Sequence, residues 1–158
     1  MTTAMTTAAT PVHWKLVVDC ADPLRLAHFW SAALGYERED HAELIERLIG
    51  FGAVTDDDWK VVEGRKVWRS AAAVRHPGDP VDPQTGVGLG RRVLFNAVPE
   101  PKQGKNRLHI DLHFGPERRV AESERLTALG ATVIRAVEEH GGAHVVMADP
   151  EGNEFCVQ

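Results

Sequence analysis

Cysteine is scarce, long apolar runs and an excess of basic charge are missing, and each of these removes a class of protein. The 158 residues hold two cysteines, Cys20 and Cys156, too few for a disulfide scaffold and in no zinc-ribbon spacing. No apolar stretch approaches the ~20 residues that a membrane-spanning helix needs, so no membrane partner is expected. The opening residues MTTAMTTAATP are small and hydroxyl-rich, without the basic and apolar regions of a secretory leader. A cytoplasmic location and a disordered tail over residues 1–12 are the resulting expectations. Lys and Arg number 18 against 23 Asp and Glu, a net charge of −5 with both signs interspersed. Nucleic acid would be met by a basic stripe, so no such partner is expected. The acidic groups Glu37, Glu39 and Asp40, and Asp56 to Asp58, read as solvated surface.

What is present suits one ordinary domain over residues 13–158. Hydrophobic residues make up 43 % and charged residues 26 %, a balance that buries a core at this length. Residues 14–20 are apolar and β-branched and read as a strand. Asp22 then supplies an N-cap and Pro23 the first helical position. Leu26, Ala27, Trp30, Ala33 and Leu34 recur at helical spacing, and Gly35 ends the helix in the left-handed conformation.

A second copy of this pattern follows. Residues 107–114 alternate apolar and polar as a half-buried strand does. Gly115 and Pro116 start a helix whose buried side is marked by Val120, Leu126 and Leu129, and Gly130 ends it. Both helices close on Ala-Leu-Gly, at Ala33 to Gly35 and Ala128 to Gly130, which supports an internal repeat. Further strands are expected over 67–75 and 91–98 in the first half, and over 131–136, 143–148 and 153–157 in the second. The fold class is therefore α+β, in tandem βαβββ modules over 13–100 and 105–158. Two insertions interrupt the first module. Residues 40–50 form a short amphipathic helix with a capping box at Asp40 and Glu43. Residues 76–90 are a Pro- and Gly-rich loop, equally readable as a lid or as disordered.

Several motifs carry less than their spelling suggests. Gly86, Gly88 and Gly90 alternate as in a phosphate loop, but no strand leads in and no helix follows. His109 and His113 have metalloprotease spacing, yet on a strand they stand ~13 Å apart. Asp149-Pro150-Glu151-Gly152-Asn153 is by its own chemistry a turn between strands.

That turn and the apolar strand after it resemble the signature of the vicinal oxygen chelate superfamily, the glyoxalase and bleomycin-resistance proteins. Asp22-Pro23, Phe29-Trp30 and Leu34-Gly35-Tyr36 resemble its first-module helix. Asn106 to Asp111, taken with Met147 to Cys156, is similar to a glyoxalase-like subgroup. The resemblance covers roughly 13–158 and is specific for fold, since the superfamily hosts lyases, isomerases, dioxygenases and antibiotic-binding proteins. It implies that the curved sheets of the two modules form a cleft, and that such modules pair across chains as a homodimer. It also implies four metal-ligand positions on the first and last strands of each module, which fall on Lys15, Asn96, His109 and Cys156. Glu154, two residues from Cys156 on the same strand face, is a substitute for the last. An ammonium donates no lone pair and Asn is a weak neutral ligand, so no metal cofactor is expected. If a divalent metal does bind, His109, Cys156 and Glu154 are its ligands.

Strand parity sets the rest of the cavity. Lys15 and Asp19 share one face, as do His109 and Asp111, and Glu154 and Cys156. Lys15, Asp19, Asn96, Asp111 and Cys156 are the candidate ligand-binding residues, and His109 and Glu154 the candidate catalytic ones. Two functions follow: bleomycin-resistance-type binding or sequestration of a small molecule without metal, and a lyase or isomerase of the glyoxalase type with His109 as general base or metal ligand. Cys20 is expected to face the helix layer and Cys156 the cleft, with no disulfide between them. Phe155 is expected in the core under the second helix.

Overall fold

The structure, a computed structural model, describes residues 12–139 and 142–158; all but the last residue of the expected tail lies outside them. The first strand, β1 (Leu16–Cys20), leads into α1 (Pro23–Leu34). The Asp22 carboxylate accepts the Arg25 N–H at 3.1 Å, and Gly35 closes the helix at φ 67°. The chain continues through β2 (Glu37–Arg38), α2 (Ala42–Gly50), β3 (Trp59–Val62), β4 (Arg65–Trp68), β5 (Ala71–Arg75) and β6 (Arg92–Ala97). The second half supplies β7 (Ile110–Leu112), α3 (Arg119–Ala128), β8 (Thr132–Glu139), β9 (Gly142–Ala148) and β10 (Glu154–Val157). No helix among the described residues is long and apolar enough to cross a membrane.

The repeat read from the sequence is a repeat of topology. One sheet runs β1-β6-β5-β2 and the other β7-β10-β9-β8. Each therefore places its first strand beside its last, in parallel. This is the expected α+β architecture of two open, curved sheets, with α2 and the β3-β4 hairpin inserted into the first half. One core joins the halves. Leu26, Phe29 and Trp30 of α1 cluster with Phe95 of β6, Leu126 of α3, and Met147, Phe155 and Val157 of the second sheet.

The structure departs from the sequence reading where pairing is nonlocal. The strand expected over 67–75 is two strands, because the chain changes sheets at Arg69 and Ser70. Before them β4 pairs with β3; after them β5 pairs with β6. A continuous apolar run does not reveal such a change of partner. Residues 107–109 lie ahead of the short β7 rather than in it. The second helix starts later than expected, since Gly115 and Pro116 make a turn in which Arg118 and Arg119 both donate to the Gly115 carbonyl. Its buried side is Ser123 and Leu126, whereas Val120 is 64 % and Leu129 36 % exposed. The capping box at Asp40 does not form. Asp40 accepts from Ala42 N at 3.0 Å while pairing with Arg65, and His41 caps α2 without a side-chain bond.

The 76–90 loop is tied down. Asp79 accepts from Arg91 N at 2.6 Å and Arg91 Nε at 3.0 Å. Glu39 accepts from Gly88 N at 2.7 Å. Close approach explains two of its glycines: a Cβ on Gly88 would lie 2.8 Å from the Arg75 Cβ, and one on Gly90 would lie 2.4 Å from Asp79 Oδ2.

Candidate functional site

The site is built on β7 and β10. Their parallel register sets Cys156 beside Asp111 and Phe155 beside Ile110. Period-two alternation turns Phe155 and Val157 into the core and Cys156 to the opposite face. His109 immediately precedes β7, and its Nε2 lies 3.3 Å from Asp111 Oδ1. The donor atoms of His109, Asp111 and Cys156 all fall within 4.8 Å of one another. His109 and Asp111 are exposed and Cys156 is buried. Burial pushes the Cys156 thiol pKa up, and the neighbouring Asp111 charge adds to the effect.

Three neighbours of this trio escaped the sequence reading. Gln158 Nε2 donates to Asp111 Oδ2 at 2.9 Å, and Arg135 is in register with Val146, which is in register with Cys156. Lys105 Nζ donates to Glu154 Oε2 at 2.7 Å, where Asn106 N also donates at 3.0 Å. That lysine, with the backbone bond, holds the Glu154 carboxyl below its ordinary range. Glu154 thus shares the β10 face with Cys156 but is tied to the preceding loop and stands outside the compact group. Residue parity carries a signal for Gln158, two positions beyond Cys156; nothing local signals Lys105.

The first sheet presents Asp19 and Asn96 side by side in the β1-β6 register, with exposed Lys15 just ahead of β1. Among the described residues, no side-chain hydrogen bond or ion pair joins Lys15, Asp19 or Asn96 to the His109 group. The turn from Asp149 to Asn153 does more than connect strands. Glu151 accepts from Ala21 N and Asp22 N, each at 2.7 Å. Buried Asp149 accepts from Trp30 Nε1 at 3.1 Å and from Glu151 N and Asn153 N at 2.9 Å. It thereby locks the β10 end of the site to α1 and to the end of β1.

Both cysteines are free and buried. Cys20 faces the helix layer at 3 % exposure, against 8 % for Cys156. Burial, followed by the charge of Glu151, pushes its pKa up to about 12. Thiolate is the reactive form, so maleimide labelling of native protein should modify Cys156 first, as followed by peptide mass spectrometry. Equal rates would contradict the assignment of Cys156 to the open face.

Comparison with known proteins matches this fold. The profile of a family described as "Glyoxalase-like domain" matches residues 15–158. No curated protein sequence matches significantly. Among solved structures, the fosfomycin resistance protein FosX from Mesorhizobium loti is similar, with a TM-score of 0.58 and 9 % identity, over 95 % of this chain and 92 % of that one. A glyoxalase/bleomycin resistance protein/dioxygenase family enzyme from Burkholderia phytofirmans PsJN gives 0.54 and 16 % identity, over 90 % and 94 %. A variant of FosX from Listeria monocytogenes, complexed with Mn(II) and 1S,2S-dihydroxypropylphosphonic acid, gives 0.56 and 12 % identity, over 95 % and 90 %.

Proposed function

The chain belongs to the glyoxalase-like domain family, and we propose that it binds a small polar or aromatic molecule on the open faces of its two sheets without the divalent metal the family resemblance implies. The observation that carries this reading is the chemistry of the four implied ligand positions. A hard divalent cation such as manganese takes oxygen and imidazole donors in octahedral array. Here the first module offers the Lys15 ammonium and the neutral Asn96 amide. The second offers His109 and a Cys156 thiol whose proton is held on by burial. Asp111, the one carboxylate close to both, has an oxygen engaged by Gln158. This donor set does not fit the metal.

It does fit a polar ligand. Lys15 supplies a positive charge, Asn96 both a donor and an acceptor, and His109 with Asp111 a polarised donor-acceptor pair. Glu154, held ionised by Lys105, acts as a fixed anion and a weak base. The Asp111 oxygen beside His109 also favours a second reading, a lyase or isomerase with His109 as general base. An imidazole on the open face, within reach of a bound molecule, can act as that base.

Metal content tests the metal-free reading. Protein purified without chelators should carry no stoichiometric divalent ion by elemental analysis, and manganese, nickel or zinc should leave its melting temperature unchanged. The combined substitutions Lys15→His, Asn96→Glu and Cys156→Glu should create a metal-dependent rise in melting temperature, because a ligand that binds only the native state stabilises it. One ion per wild-type chain, lost on His109→Ala, would overturn the metal-free reading.

A further inference from the structure

Beside the first sheet lies a cavity of about 630 Å³, within the ~300–1,000 Å³ range of small-molecule sites. None of the cleft candidates lines it. Its floor is the run of alanines from Ala71 to Ala73 on β5; Leu24 and Ala27 of α1 form one wall, and Val67 and Trp68 of the inserted hairpin another.

The floor is an unfinished strand edge. In an antiparallel ladder, alternate residues turn their backbone groups to alternate sides. Ala97 N donates to Ser70 O at 2.7 Å. With the β5-β6 register this directs Ser70, Ala72 and Val74 toward β6, and Ala71 and Ala73 the other way. On that other side β2 covers only Val74 and Arg75, and Glu39 N donates to Ala73 O at 2.9 Å. The chain then departs into α2. Among the described residues, the Ala71 N–H and C=O have no backbone partner across that edge. Methyl side chains leave the approach to them open. The lining charges are balanced: Glu37 pairs with Arg75, Glu39 with Arg92 and Asp40 with Arg65, while Arg38 and Glu63 are of opposite sign.

We propose that this cavity is a second binding site, for a neutral, amide-bearing aromatic molecule. Two amides flanking one carbon add to the β5 edge at Ala71 as a strand residue would: the N–H of one donates to the Ala71 carbonyl and the C=O of the other accepts from its N–H. Its ring packs against Trp68, where an aromatic face gains contact without requiring charge. Internal neutralisation of the carboxylates disfavours a cationic ligand. The missing partner of Ala71 selects for an amide over a plain hydrocarbon, because an apolar occupant would leave that N–H and C=O without hydrogen bonds.

The probe is N-acetylphenylalaninamide, titrated by calorimetry and tryptophan fluorescence, with hydrogen exchange read at Ala71. Binding should saturate and slow exchange of that amide. Ala71→Pro removes the donor without touching the β6 ladder, a place where a strand edge tolerates proline, and should weaken binding about tenfold, the worth of one hydrogen bond. The amide-free 3-phenylpropanol should bind more weakly by a similar factor. Val67→Trp, which fills the cavity and keeps β5 intact, should abolish binding; it decides the matter if the proline variant fails to fold. His109→Ala should leave binding unchanged, so this site stands or falls independently of the cleft. Absence of saturable binding, equal affinity in a folded Ala71→Pro protein, retained affinity in a folded Val67→Trp protein, or loss in His109→Ala would overturn the proposal.

Discussion

Replacing Phe155 by alanine should destabilise the protein by about 3–5 kcal/mol, the usual cost of a large-to-small change in a close-packed core. The ring is 1 % exposed. Its centroid lies 5.2 Å from that of Trp30 in an edge-on arrangement and 6.2 Å from that of Phe29. These aromatic partners belong to α1, so the terminal strand of the second sheet is packed against the helix of the first half as well as near α3. The truncation therefore opens a cavity where the two halves meet. Phe155→Leu retains much of the volume and should cost distinctly less. The measurement is the midpoint of chemical denaturation at constant slope, with Trp30 fluorescence as the probe. A shift near zero in Phe155→Ala would mean that β10 is not a core strand, and the positioning of Cys156 on its opposite face would fall with it.

Phe155 also illustrates which parts of the molecule can be read from text. Its inward direction follows from alternation along four residues. The same local logic applies to the start of α1, where Asp22, Pro23 and Gly35 each act on neighbouring backbone. The nearness of His109, Asp111 and Cys156 needed parity plus the juxtaposition of a first strand and a last, which the family resemblance implied. Contacts between distant segments left no comparable trace. The turn from Asp149 to Asn153 is recognisable as a turn, but its hold on Ala21, Asp22 and Trp30 depends on how the halves dock. The exchange of partners at Arg69 and Ser70 is set by the hairpin's own pairing of Trp59 with Trp68. Val120 and Leu129 fit the apolar spacing of a buried face but are exposed, because a helix at the edge of a small core has surface to spare. The cluster of Glu37, Glu39 and Asp40, read as solvated acid, contains a fully buried carboxylate held by Arg92, His41 and Gly88.

That carboxylate, Glu39, is the position where a single polar substitution should be most damaging. Its side chain is fully buried, and Arg92, 8 % exposed, donates to it through Nε at 2.6 Å and Nη2 at 2.8 Å. His41 Nε2 lies 3.1 Å from the second oxygen, and Gly88 N donates to the first. Glu39→Ala leaves the Arg92 guanidinium buried without its counter-ion and releases the 76–90 loop at Gly88. Breaking one side of a buried ion pair costs about 3–5 kcal/mol. The double substitution Glu39→Met with Arg92→Leu should recover much of that loss, because it removes both desolvated charges together. Acid should act on the same contact. Burial alone would raise the Glu39 pKa, but the bonds from His41, Arg92 and Gly88 outweigh it and hold the group near a pKa of about 2, down from 4.5. A carboxylate with a folded pKa below its unfolded one stabilises the native state fully above the unfolded value. That stabilisation is lost as pH falls through the folded value. The stability gap between wild type and Glu39→Ala should therefore stay constant from pH 7 to about pH 5 and shrink between about pH 4.5 and 2, when followed by urea denaturation across that range. A gap that widens on acidification, or one absent at neutral pH, would show that Glu39 does not carry the charge that holds Arg92 and the loop in place.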